Sequence, residues 1–278
     1  MRTELPVAKP ALKAALLSPQ RPLGDHPLLV AGPSLGTSSI LWNRVATLLG
    51  ADIDLVAWDL PGHGVSPAAT ETFDVAALAD AVVDLVDSIA PGEAFHYAGV
   101  SLGGTVGLQL GIKHGERLKS LSVQNSGAKI GTPEGWLERA ETVRTQGTPV
   151  MIQGSAQRWF APGFMDREPE FSSRLLHALR DADRYSYAFC CEALAAFDVR
   201  SELGSIKVPT QVIAGALDGV ATPEMAEEVA AGITAGGGTA TAVTLAGVAH
   251  LAPAEAPAHV ADLMRSLMSW AESQGAAK

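Results

Sequence analysis

Gly99-Val100-Ser101-Leu102-Gly103 is the stretch on which the reading of this chain turns. Apolar residues over 95–100 predict a strand before it, and the spacing over 102–114 predicts a helix after it. A serine on so tight a strand-to-helix turn has strained backbone angles and little space beside it. Glycine two residues away on either side answers both needs. The turn lifts the hydroxyl above the sheet edge, with the free N–H of the new helix behind it. Ser101 is therefore the expected nucleophile. The plainer alternative is that Gly99, Gly103 and Gly104 only let a helix lie close to a strand.

Working outward, short apolar runs alternate with longer amphipathic ones, the pattern of an α/β chain with βα units on a mostly parallel sheet. Further strands are expected over 28–31, 53–58, 118–123, 210–214 and 240–245. Helices are expected over 40–49, after an Asp74 cap, from Thr222-Pro223 through Ile233, and over 258–272. The segment 127–200 breaks this rhythm. It offers helical patches over 136–146, 168–180 and 185–197 and concentrates Trp136, Trp159, Phe160, Phe164, Phe171, Tyr185 and Tyr187. A helical insertion there reads as a cap over the carboxyl edge of the sheet, where such folds bind ligands. Ordinary packing helices are the alternative. The expected division is a core in two parts, 1–126 and 201–278, with the cap at 127–200.

A serine hydroxyl needs a base, so an imidazole is sought. His250 stands just after the last expected strand, in Gly247-Val248-Ala249-His250-Leu251, at the edge where the nucleophile turn lies. His26, His96, His114, His177 and His259 read as surface or packing residues. The imidazole in turn needs a carboxylate to hold its tautomer and stabilise its charged form. Asp218 follows the strand at 210–214, and the alternative acid position after the strand at 118–123 is occupied by Gln124-Asn125. A turn or capping aspartate is the bland reading of Asp218. The chain order Ser101, Asp218, His250 is the one expected of this class of hydrolase. Two backbone N–H groups should meet charge building on the substrate oxygen. Leu102 supplies one, and Leu35, in the loop after the first buried strand, is the choice for the other.

Composition bounds the rest. The 278 residues include 20 Lys+Arg and 30 Asp+Glu, a formal net charge of −10, and no basic block, which argues against nucleic acid as a partner. Hydrophobic residues make up 47% and charged residues 18%, as in a folded chain with a large core. Cys190 and Cys191 are adjacent and read as reduced thiols of a reducing compartment. No metal-ligand spacing is present. The uncharged stretches 94–112 and 229–254 are broken by glycines and polar residues, and the apolar run over 14–17, behind Arg2, Glu4 and Pro6, is short for a signal. The expectation is a cytoplasmic protein without a membrane partner, a monomer or small homo-oligomer.

Asp59-Leu60-Pro61-Gly62-His63-Gly64-Val65-Ser66, followed by G-V-S-L-G-G and the late Asp and His, resembles the α/β-hydrolase superfamily. Within it the chain resembles the 3-oxoadipate enol-lactonases of bacterial aromatic catabolism. That closer likeness rests on Ser34-Leu35-Gly36-Thr37 with Trp42, on Arg158-Trp159-Phe160-Ala161-Pro162-Gly163-Phe164, and on residues 190–200 leading into Ile206-x-x-Pro209. The resemblance implies the α/β-hydrolase fold with a helical cap, and hydrolysis of a carboxylate-bearing enol-lactone through an acyl-enzyme on Ser101, without a cofactor. A protein this acidic needs a local cation for such a substrate, and Arg158 is the candidate, with Trp159 on the pocket wall. Carboxylesterase, C–C hydrolase and perhydrolase activities of the same fold are alternatives, as is a non-catalytic ligand-binding relative. Pro33 in the oxyanion loop, the missing glycine turn over 1–26, the longer 218–223 loop and the apolar residues after His250 depart from the enol-lactonase pattern.

Overall fold

The protein is described by a computed structural model over residues 8–17 and 23–275. Residues 1–7, 18–22 and 276–278 lie outside the described residues, and with them the outer ends of both expected core parts and the reading of Arg2, Glu4 and Pro6.

Seven strands form one sheet: β1 (Lys13–Leu16), β2 (Leu28–Gly32), β3 (Asp54–Asp59), β4 (Phe95–Val100), β5 (Leu118–Gln124), β6 (Thr210–Gly215) and β7 (Ala240–Leu245). Their order is β1-β3-β2-β4-β5-β6-β7, with β1 antiparallel to β3 and every other pair parallel. Strands β2, β3, β4 and β6 are buried along their whole length. Helices cover both faces of such a sheet, so its inner strands read as continuous apolar runs. Strand β7 lies at the edge, and half of its residues stay exposed. The short β1 has no counterpart among the sequence expectations: Lys-Ala-Ala-Leu is brief, and only pairing with β3 makes it a strand.

The flanking helices are α1 (Asn43–Leu49), α2 (Val75–Ile89) and α3 (Leu102–Lys113), then α4 (Pro133–Gln146), α5 (Ile152–Trp159), α6 (Phe164–Arg167), α7 (Pro169–Asp181) and α8 (Arg184–Ala196). After β6 come α9 (Pro223–Ala235), α10 (Ala252–Glu255) and α11 (Pro257–Gly275). Helix α2 begins where expected, with the Asp74 carboxylate accepting the Ala77 N–H at 2.7 Å. Thr222 precedes α9 in extended conformation, but its side chain caps no backbone N–H. Helices α4 to α8 all lie between β5 and β6. Helices α5 and α6 were not expected, because α5 is short and carries Gly154 and α6 is a single turn, so each gives a weak helical signal in isolation.

The order of strands places the ends of β2, β4, β5, β6 and β7 along one edge, and the loops leaving those ends carry the candidate residues. At the centre, a Cβ on Gly99 would collide with the Gly103 carbonyl oxygen, and one on Gly103 would lie 2.7 Å from the Gly32 carbonyl carbon. Gly99→Ala is therefore expected to destabilise the protein by about 3 kcal/mol, an overpacking cost against rigid backbone. Urea unfolding monitored by tryptophan fluorescence checks this.

Candidate active site

Ser101 sits between β4 and α3 at φ 55° and ψ −115°, one of two non-glycine residues with positive φ among the described residues. The strained turn expected of a nucleophile is present. Its N–H donates to the Gln124 carbonyl at 2.9 Å, and its carbonyl accepts from the Thr105 N–H and the Ser126 hydroxyl. These bonds hold the backbone in place while the hydroxyl faces a cavity. His250 follows β7, and its Nδ1 lies 2.8 Å from Asp218 Oδ2, with both side chains buried. Burial raises the Asp218 pKa. The hydrogen bond and charge of His250, with the N–H groups of Val220 and Ala221, outweigh it and leave the carboxyl below its ordinary value. The longer loop over 218–223 thus wraps the carboxylate, with Val220 and Ala221 donating to Oδ1 at 2.8 and 3.1 Å.

A cavity of about 340 Å³ is lined by Ser34, Leu35, Ser101, Trp159, Arg158 and His250, among others. Asp218 stands behind the imidazole. With Nδ1 committed to the carboxylate, Nε2 is the ring atom left for proton transfer. The Leu102 and Leu35 N–H groups donate no hydrogen bond among the described residues, so both are free for a substrate oxygen. The Pro33 carbonyl accepts the Gly103 N–H at 3.0 Å and latches the loop after β2 to α3.

A family model described as the alpha/beta hydrolase family matches residues 28–263. The chain belongs to that family. It is 38% and 36% identical to 3-oxoadipate enol-lactonases 2 and 1 of Acinetobacter baylyi over 198 residues, 71% of this chain and 74% of each relative. The crystal structure of the enol-lactonase from Burkholderia xenovorans LB400 superposes with a TM-score of 0.86 at 30% identity, covering 95% of this chain and 100% of that one.

The folded hydrolase brings further residues to the cavity. Arg139, on α4 one turn after Trp136, also lines the cavity. Its guanidinium donates to the Tyr187 hydroxyl and lies over the Trp136 and Tyr187 rings at 5.3 and 5.4 Å. Arg158 is at the rim, where burial and the neighbouring Arg139 charge both pull its pKa down. Neither arginine has a carboxylate partner among the described residues. The i, i+3 spacing of Trp136 and Arg139 was the available signal. Trp159 is buried and lines the cavity.

Asn125 stands where an acid would otherwise follow β5. It is fully buried at φ 45°, and its Nδ2 donates to Asp218 Oδ2 at 3.1 Å and the Ala249 carbonyl at 2.9 Å. Its Oδ1 accepts the Ala252 N–H at 3.3 Å. The motif around His63 supports the site from outside. Asp59 accepts the N–H groups of Ser39 and Val65 at 2.5 and 2.9 Å, fixing the segment after the oxyanion loop. The other histidines behave as expected: His96 is buried on the Ser120 hydroxyl, His114 meets Asp80, His26 is half-buried, and His177 and His259 are exposed.

Because the folded Asp218 pKa lies below the ordinary value of 3.8, its contribution to stability is full above that value. It is lost as pH falls through the lower folded pKa. Stability curves measured between pH 7 and pH 2 should show this acid loss in the native chain and not in Asp218→Asn. The same variant should lower kcat by about 10⁴-fold, because the imidazole loses its tautomer and its counter-charge.

Proposed function

We propose that this hydrolase opens a small carboxylate-bearing enol-lactone, 3-oxoadipate enol-lactone, to 3-oxoadipate, using Ser101, His250 and Asp218 as its catalytic set. The observation that carries this reading is the unpaired guanidinium pair, Arg139 and Arg158, lining the cavity that Ser101 and His250 share. Two cations held side by side without an acid repel one another, and an anionic ligand relieves that cost. The similarity to enol-lactonases supports the same substrate class.

In the proposed reaction, Ser101 Oγ attacks the lactone carbonyl as His250 Nε2 takes its proton, and Asp218 stabilises the imidazolium. The Leu102 and Leu35 N–H groups hold the tetrahedral oxyanion. Its collapse breaks the ring C–O bond, and the departing enol oxygen takes the proton from His250 before the enol becomes the ketone. The acyl group stays on Ser101. Water, deprotonated by His250, then attacks that ester, and His250 returns the proton to Ser101 Oγ as the acyl bond breaks and a dicarboxylate is released. Trp159 walls the cavity, and residues 127–200 act as the cap that brings Arg139 and Arg158 over the sheet edge. The buried free thiols of Cys190 and Cys191 fit a reducing cytoplasm, and the product fits a place in aromatic catabolism.

Turnover of 3-oxoadipate enol-lactone beside neutral p-nitrophenyl acetate tests the assignment. Ser101→Ala should abolish both activities and covalent labelling by a fluorophosphonate. Arg158→Ala should raise KM for the lactone about 10- to 100-fold, the worth of a charge-assisted hydrogen bond, and change KM for the neutral ester less than about threefold. Equal effects on the two substrates would reject the anion clamp.

A further inference from the structure

Outside the proposed catalytic set, one carboxylate is bonded in a way that ties the substrate side of the cavity to the base. Glu255 ends α10, the short helix that follows His250. Its Oε1 accepts the Ala249 N–H at 2.9 Å, and its Oε2 accepts the Ala161 N–H at 2.7 Å. Ala249 is the residue before His250, and Ala161 lies three residues after Arg158. A second bond runs beside the first, from the Leu251 N–H to the Trp159 carbonyl at 3.2 Å. The segment from Arg158 to Ala161 therefore lies along the loop from Ala249 to Leu251, joined on both flanks of the imidazole.

The chemistry of the side chain matches this task. Two backbone donors converge on it, and a carboxylate offers an acceptor oxygen to each. A glutamine would turn its amide N–H₂ toward one of them. Burial holds the Glu255 pKa above its ordinary value, with the Asp218 charge adding to the rise and the backbone N–H groups offsetting it only in part. The core side of the same loop is held independently, because Asn125 binds the Ala249 carbonyl and the Ala252 N–H. Ala249 is thus gripped through its carbonyl by the Asn125 amide and through its N–H by Glu255, whose other oxygen holds the Ala161 N–H of the 127–200 segment.

We propose that Glu255 is a positioning residue that couples the seat of Arg158 and Trp159 to the aim of the His250 imidazole, so that gripping the substrate and aligning the base are one mechanical event. This rests on the assignment of Ser101, His250 and Asp218 given above. The residue is not among those lining the cavity; it acts through two backbone segments.

The test is a double-mutant cycle on the intact protein with Glu255→Gln and Arg158→Ala, using the lactone and p-nitrophenyl acetate. Glu255→Gln is nearly isosteric and keeps one of the two bonds. It should lower kcat for the neutral ester about ten- to hundredfold with KM changed less than twofold, the signature of a misaimed base. Thermal unfolding checks that the variant is folded, and a variant that is folded with unchanged kcat overturns the proposal. On the lactone, Arg158→Ala should cost at least about threefold less in the Glu255→Gln background than in the native one. Effects that multiply independently would show that the two segments act separately, and would also overturn it. Ser101→Ala separates the two levels: residual turnover there defeats the active-site assignment, whereas a dead Ser101→Ala with independent effects defeats the coupling alone.

Discussion

The backbone of Ser101, held at φ 55°, is the constraint from which the rest of the site follows. Such a conformation costs a non-glycine residue about 1–3 kcal/mol and persists only where its surroundings over-determine it. Here the surroundings are backbone. The Ser101 N–H is bound by β5, its carbonyl by Ser126 and α3, and the turn closes so tightly that Gly99 and Gly103 leave no space for a Cβ. The same closeness lets the Gly103 N–H reach the Pro33 carbonyl, so the strand-to-helix turn and the loop after β2 become one rigid piece. The proposed nucleophile and the N–H groups proposed to face the oxyanion would thereby be placed without reorganisation.

Three other loops meet this piece at the same edge, and side chains rather than packing join them. Asn125 leaves β5, Asp218 leaves β6 and His250 leaves β7, and the Asn125 amide binds Asp218 and both sides of the His250 loop. Loops alone are the mobile part of an α/β protein. Buried hydrogen bonds between side chain and backbone turn these into a fixed frame, at the cost of an asparagine in left-handed conformation. The segment between β5 and β6 then rests on the frame through Glu255 and the Trp159 carbonyl.

Charge at the site runs against charge in the whole chain. A net charge of −10 repels an anion at long range, yet carboxylates more than about 8 Å away are largely screened at physiological salt. The guanidiniums of Arg139 and Arg158 line the cavity itself, within a screening length of whatever fills it. Local arrangement, not overall composition, therefore decides which ligand the cavity suits.

Strand and helix positions were legible wherever the signal was local: the period of apolar residues in α2, the apolar runs of β4 and β6, and the glycine spacing around Ser101 each report a short-range requirement. Asp218 and His250 could be picked out because their places after expected strands put them at the same edge. What the sequence could not contain was anything set by approach in space. β1 exists through its pairing with β3, and Asn125 and Glu255 look like ordinary polar residues until distant N–H groups converge on them. Arg139 shares a cavity with Arg158 only once α4 and α5 are folded over the sheet. Backbone geometry and periodicity are written in neighbouring residues; the partners of a buried polar group are chosen by the fold.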